Sequence, residues 1–159
     1  MVELEHVIEV LQGLTGGTFD SIYDLFFAEK RMIVASVLLP SDLADKYRKQ
    51  DLLTSVFLGN ALRSHEIKMQ SLKLIEERRL AFENKSLDEI LTMHRANMEI
   101  DYENIASVSI KEGFLSSYLM FEVQKTPKEK IRFSLKKKQI AEAKRVINRI
   151  FPSKFVKTS

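Results

Sequence analysis

The three histidines, His6, His65 and His94, are the side chains best suited to acid–base or metal chemistry near neutral pH, and their spacing gives them no partners. His65-Glu66 opens like the helical His-Glu-x-x-His motif, in which two imidazoles one turn apart hold zinc, but position 69 is Met. Each histidine therefore reads as a surface or packed residue. There is no cysteine, which removes thiolate nucleophiles, Cys-based zinc sites and disulfides together. No serine stands in Gly-x-Ser-x-Gly, and no Asp/His pair is placed to activate one. The segment Gly13 to Thr18 has the glycines of a phosphate loop without the Lys-Ser/Thr that would reach phosphate and magnesium, so it reads as a turn. Catalysis, a cofactor and a metal are all unexpected.

Charge is the better lead. From Lys125 onward there are twelve Lys/Arg against two acidic residues, whereas the preceding 124 residues carry thirteen against twenty. Lys130 and Arg132 share one face of an alternating strand, and Lys137, Lys138, Lys144, Arg145 and Arg149 share one face of a following helix. Merged, they would form a positive surface for an anionic membrane, where each cation near the headgroups contributes on the order of 1 kcal/mol. Aromatics are not interleaved among them, so nucleic acid ranks low as a partner. The competing expectation is that the basic end folds against the acidic body and the fields cancel.

A long helix over about 51–82 is the second candidate. Leu58, Leu62, Met69, Leu72, Ile75 and Phe82 recur at helical spacing and form the expected docking stripe. Leu53, Val56, Phe57, Ile67 and Leu74 lie off it. These five predict a second apolar surface for a protein partner or a second copy, with packing on the sheet as the alternative.

The elements that must position these residues follow from periodicity and turn chemistry. Strands are expected at about 5–11, 22–28 and 32–39, with Gly13 to Gly17 as the first turn and Glu29-Lys30-Arg31 closing a hairpin. Pro40-Ser41-Asp42 changes the texture to helix, with a short helix at about 42–49, the long one, a possible break at Gly59-Asn60, and a third at about 87–94 behind a Ser86-x-x-Glu89 capping box. Strands resume at about 98–102, 105–110, 118–123 and 130–135, and an amphipathic helix over about 136–151 is stopped by Pro152.

Two blocks of this pattern resemble prokaryotic pleckstrin-homology-like (PH/GRAM-like) domains. Ser21 to Ala35, with Tyr23-Asp-Leu25, a polar turn and Arg31-Met-Ile33, is similar to that family's hairpin, and Ile100-Asp-Tyr102-Glu-Asn-Ile105-Ala-Ser-Val108 to its next strand pair. Ile131 to Leu135 running into the helix before Pro152 resembles its last strand and capping helix. The resemblance implies an α+β fold: a PH-like antiparallel β-barrel or orthogonal sandwich of about seven strands, capped by the C-terminal helix. A helical insertion at about 41–95 would lie between the third and fourth strands. It also implies binding of inositides, peptides or proteins in place of catalysis. Inositide binders of this fold usually carry Lys or Arg in the first hairpin loop, and Gly13 to Asp20 holds neither.

At 159 residues one domain is expected. No basic region followed by an apolar stretch opens the chain, and the longest apolar run, Met32 to Leu39, is far short of the roughly 20 residues a spanning helix needs. A cytoplasmic binding module is thus expected, acting through a protein partner or itself by way of the insertion. Peripheral association with an anionic membrane through the basic strand and helix is the alternative.

Overall fold

A computed structural model describes residues 5–16, 21–39, 42, 59–125 and 127–158, with the backbone alone at 59–64, 67, 157 and 158. The expected short helix at 42–49 beyond Asp42, the first turns of the long helix and the Ser41 cap lie outside the described residues.

Strands β1 (Glu9–Gly16), β2 (Ser21–Phe27) and β3 (Arg31–Leu38) form an antiparallel meander. β1 lies further along the chain than its alternation predicts, because Gly13 does not end a strand. It sits in a bulge: Leu11 pairs with Leu25 and Leu14 with Tyr23, so Gln12 and Gly13 together face Asp24. Gly13 has φ 74°, a conformation glycine adopts without penalty, and its N–H donates to the Asp24 carboxylate at 2.9 Å.

Helices α1 (Gly59–Phe82) and α2 (Leu87–Thr92) come next, between β3 and β4, and Ser86 Oγ caps α2 by accepting from the Glu89 N–H at 3.2 Å. β4 (Met98–Asp101), a 3-10 turn at Tyr102–Asn104, β5 (Ile105–Lys111), β6 (Ser117–Val123) and β7 (Glu129–Leu135) follow. Helix α3 (Lys137–Ile150) and a short β8 (Phe155–Thr158) complete the described chain. β8 was not expected, since four residues give too short an alternation to stand out beside a helix stop.

The strands form one sheet in the order β4-β3-β2-β1-β7-β6-β5-β8, antiparallel except where β8 runs parallel to β5. The protein is therefore α+β, with eight strands among the described residues where about seven were expected. The sheet is open, with β4 and β8 as its edges; of the barrel or orthogonal sandwich that the resemblance implied, the closed barrel does not form. Closure requires a continuous hydrogen-bonded row around the sheet. Among the described residues the two meanders join through Thr15 with Ser134 and Gly16 with Phe133. Beyond that seam α3 takes over: the Gln139 side-chain amide donates to the carbonyls of Gln12 and Gly13, occupying acceptors of β1 that β7 leaves free. A Cβ on Gly16 would come within 3.0 Å of Phe133 and 3.2 Å of Tyr23, which shows how closely the halves approach there.

One face of β1 to β7 converges on α3. Leu14, Leu25, Phe27, Val34, Ile105, Val108, Leu119 and Phe121 meet Ala143, Val146 and Ile147 in a single core. Phe151, just past α3, contacts Phe27, Phe121 and Tyr102 edge to face. A second core lies on the opposite side of β3, where Ile33, Ala35 and Val37 meet Ile75 and Phe82 of α1 and Leu87 and Ile90 of α2. This explains why β3 is buried almost throughout: a strand covered on both faces reads as a continuous apolar run.

Candidate functional site

The helical block is fastened to the outer face of β2 and β3 by a hydrophobic contact and by polar contacts centred on Asp24 and Asn97, with Arg31 of β3 also pairing with Asp88 of α2. Phe82 meets Phe26 edge to face at 5.7 Å, beside Ile75. Asp24, fully buried, takes a two-pronged ion pair from Arg79, with Nε and Nη2 each at 2.8 Å. That pair keeps the Arg79 guanidinium above its ordinary pKa. The third contact is Asn97, just before β4. Its side-chain oxygen accepts from the N–H (2.8 Å) and hydroxyl (3.2 Å) of Ser36, and its amide donates to the Ile90 carbonyl at 2.7 Å.

This docking reverses part of the predicted helix. Ile75 and Phe82 of the expected stripe are buried, but Met69 and Leu72 are 55% and 53% exposed, and Leu80 is 58% exposed. Arg79 decides the orientation: the buried carboxylate needs a cation, and Arg79 is helical neighbour to both Ile75 and Phe82. Of the expected interface residues, Leu74 is half-buried against the second core and belongs to the docked side. Leu53, Val56 and Phe57 lie outside the described residues, as does the Ile67 side chain. The outward face of α1 is instead the side carrying Met69, Lys73, Glu76 and Leu80, with Leu72 at its margin. Periodicity showed two stripes on this helix and could not say which one the sheet would cover.

The basic residues do not merge into one surface. Lys130 and Arg132 alternate with Ile131 and Phe133, so they occupy the sheet face opposite the core that holds α3. Arg132 lies over the Tyr118 ring, 4.1 Å from its centroid. On α3, Arg145 and Arg149 both bond Glu9, at 2.9 and 2.6 Å, and Arg145 also pairs with Glu142. These two arginines hold the Glu9 carboxyl down to about 2. Lys144 pairs with Glu112 at 2.9 Å. Lys137 and Lys138 are exposed at the start of α3 with no ion pair among the described residues.

The residues that carry the family-like pattern hold the fold together. The Tyr102 hydroxyl donates to the Ala28 carbonyl, its N–H donates to the Lys30 carbonyl, and its own carbonyl accepts from Lys154. Burial, together with the negative charge of Glu5, pushes the Tyr102 hydroxyl well above the usual tyrosine range. Arg31 joins Glu5, Asp88 and Glu99. His94 Nδ1 accepts from the Ala96 N–H, a local turn contact. Among the described residues, no three His, Asp or Glu side chains gather as a metal site would require.

Two features escaped the sequence reading. A groove of about 520 Å³ opens where β7 runs past the end of β1, with Tyr23, Val34, Met98, Ile131 and Phe133 in its walls. At the β5–β6 turn, Phe114 and Leu115 are 101% and 94% exposed. Adjacent Phe-Leu after a glycine was the available signal. No family model, curated protein or solved structure matches this chain.

Proposed function

We propose that this chain is a non-catalytic binding module on a PH-like scaffold, and that it assembles with a second copy through the outward face of α1. The observation that carries the reading is the set Met69, Leu72 and Leu80, each more than half exposed on a helix already docked through its other side. Large apolar side chains grouped on one helix face favour a protein partner over water.

Charge argues for a second copy as that partner. On that face Lys73 and Glu76 lie one turn apart between Met69 and Leu80. Two such helices crossing antiparallel place Met69 against Leu80 of the partner subunit and Lys73 against Glu76 of the partner subunit, twice over, as two-fold symmetry requires.

The PH-like scaffold is supported by two meanders meeting at β1 and β7 around a C-terminal helix.

Size-exclusion chromatography with light scattering at micromolar concentration is expected to give a dimer. The double variant Leu72→Glu/Leu80→Glu is expected to be monomeric with an unchanged circular dichroism spectrum. A wild-type chain that stays monomeric throughout rules the reading out.

A further inference from the structure

We infer that the β5–β6 turn is a membrane-inserting wedge: Phe114 and Leu115 enter the boundary between headgroups and acyl chains of an anionic bilayer, while the lysines around them meet the headgroups. The inference stands independently of self-association through α1.

Two consecutive large apolar side chains are almost wholly bare at the tip of a projecting hairpin. A folded chain gains nothing from them there. The tip is also held in shape: the Gly113 N–H donates to Ser117 Oγ at 3.3 Å, and a Cβ at Gly113 would lie 2.2 Å from the Ser116 carbonyl oxygen. Glycine at 113 is thus needed for the tight turn that presents Phe114 and Leu115, and little ordering remains to be done on binding.

The sheet register brings cations to the same end. Lys111 is registered with Tyr118, and Ser117, at the base of the tip, with Leu135. The chain leaving Leu135 is Lys136, Lys137 and Lys138, all exposed. Glu112, the acidic residue within the turn, is neutralised by Lys144 at 2.9 Å. An apolar point with lysines at the same end of the sheet matches the layered chemistry of an anionic membrane, with headgroup phosphates outside and hydrocarbon beneath. Lys136, Lys137 and Lys138 carry no ion pair among the described residues, and a run of free cations beside a bare apolar pair suits an anionic lipid surface.

The chain contains no tryptophan, so Phe114→Trp introduces a single reporter at the tip. Its emission is expected to shift to the blue with vesicles of phosphatidylcholine and phosphatidylserine, and to stay unmoved with phosphatidylcholine alone. Phe114→Ser/Leu115→Ser is expected to weaken cosedimentation with the anionic vesicles by at least about tenfold, since each buried side chain of this size contributes that much or more. Neither side chain packs against the protein, so the melting temperature should hold. Lys136→Glu/Lys137→Glu is expected to weaken binding as well, and added salt to do the same. Unmoved emission with anionic vesicles, equal binding of the serine pair and the wild type, or equal binding to both vesicle types would each overturn the inference.

Discussion

At the scale of single residues, Asp24 does the most for the least surface. It is a fully buried carboxylate on the outer face of β2 that receives two bonds from Arg79 and one from the Gly13 N–H, tying α1, β2 and the β1 bulge together. Removing one member of such a pair strands the other. Asp24→Ala is therefore expected to lower unfolding stability by about 3 kcal/mol, read from urea denaturation, and to leave the sheet's own circular dichroism intact below the transition. A loss under about 1 kcal/mol would mean that the pair behaves like an exposed one. None of this was legible in sequence, where Asp24 is simply one polar residue in an alternating strand. Tyr102 and Arg31 were legible as a pattern, though not as the ties they are. Their spacing records where the β2–β3 turn must meet the start of β5.

At the scale of elements, β2, β3, β5, β6, β7 and α3 emerged within one or two residues of their sequence bounds, because one face of each strand and one stripe of the helix enter the same core. β1 did not, since a glycine that looks like a turn makes a bulge. β8 was too short to register, and α1 docks through only part of its expected stripe, Ile75 and Phe82, because Asp24 draws Arg79 to that side while Met69 and Leu72 turn outward. The docking of α3 has a testable pH signature. Arg145 and Arg149 pull Glu9 from an ordinary 4.5 down to about 2, so the folded chain holds this proton less tightly than the unfolded chain. The stabilisation is complete above the unfolded value and disappears as pH falls toward about 2. Melting temperature is accordingly expected to drop across that window, and Arg145→Gln/Arg149→Gln to show a shallower drop. Parallel curves for the two proteins would detach Glu9 from the acid response.

At the scale of the whole molecule, residues before Pro40 and after Asn97 contribute to one sheet, with α3 in its concavity and the helical block on the far side of β3. The basic C-terminal part was legible as a charge bias, yet its geometry was not. The sheet separates Lys130 and Arg132 from α3, and acidic partners take up Lys144, Arg145 and Arg149. Among the described residues the β5–β6 tip and the outward face of α1 stay exposed, and the proposed self-association uses the second, where Lys73 and Glu76 lie between Met69 and Leu80. Sedimentation equilibrium at low salt, comparing wild type, Lys73→Glu, Glu76→Lys and the double exchange Lys73→Glu/Glu76→Lys, tests this most directly. Each single change sets like charges against each other at two symmetric positions and is expected to weaken the dimer by about tenfold, whereas the double exchange restores opposite charges and the wild-type constant. Dimers that ignore all three changes, or a double variant no tighter than the singles, would contradict the antiparallel pairing.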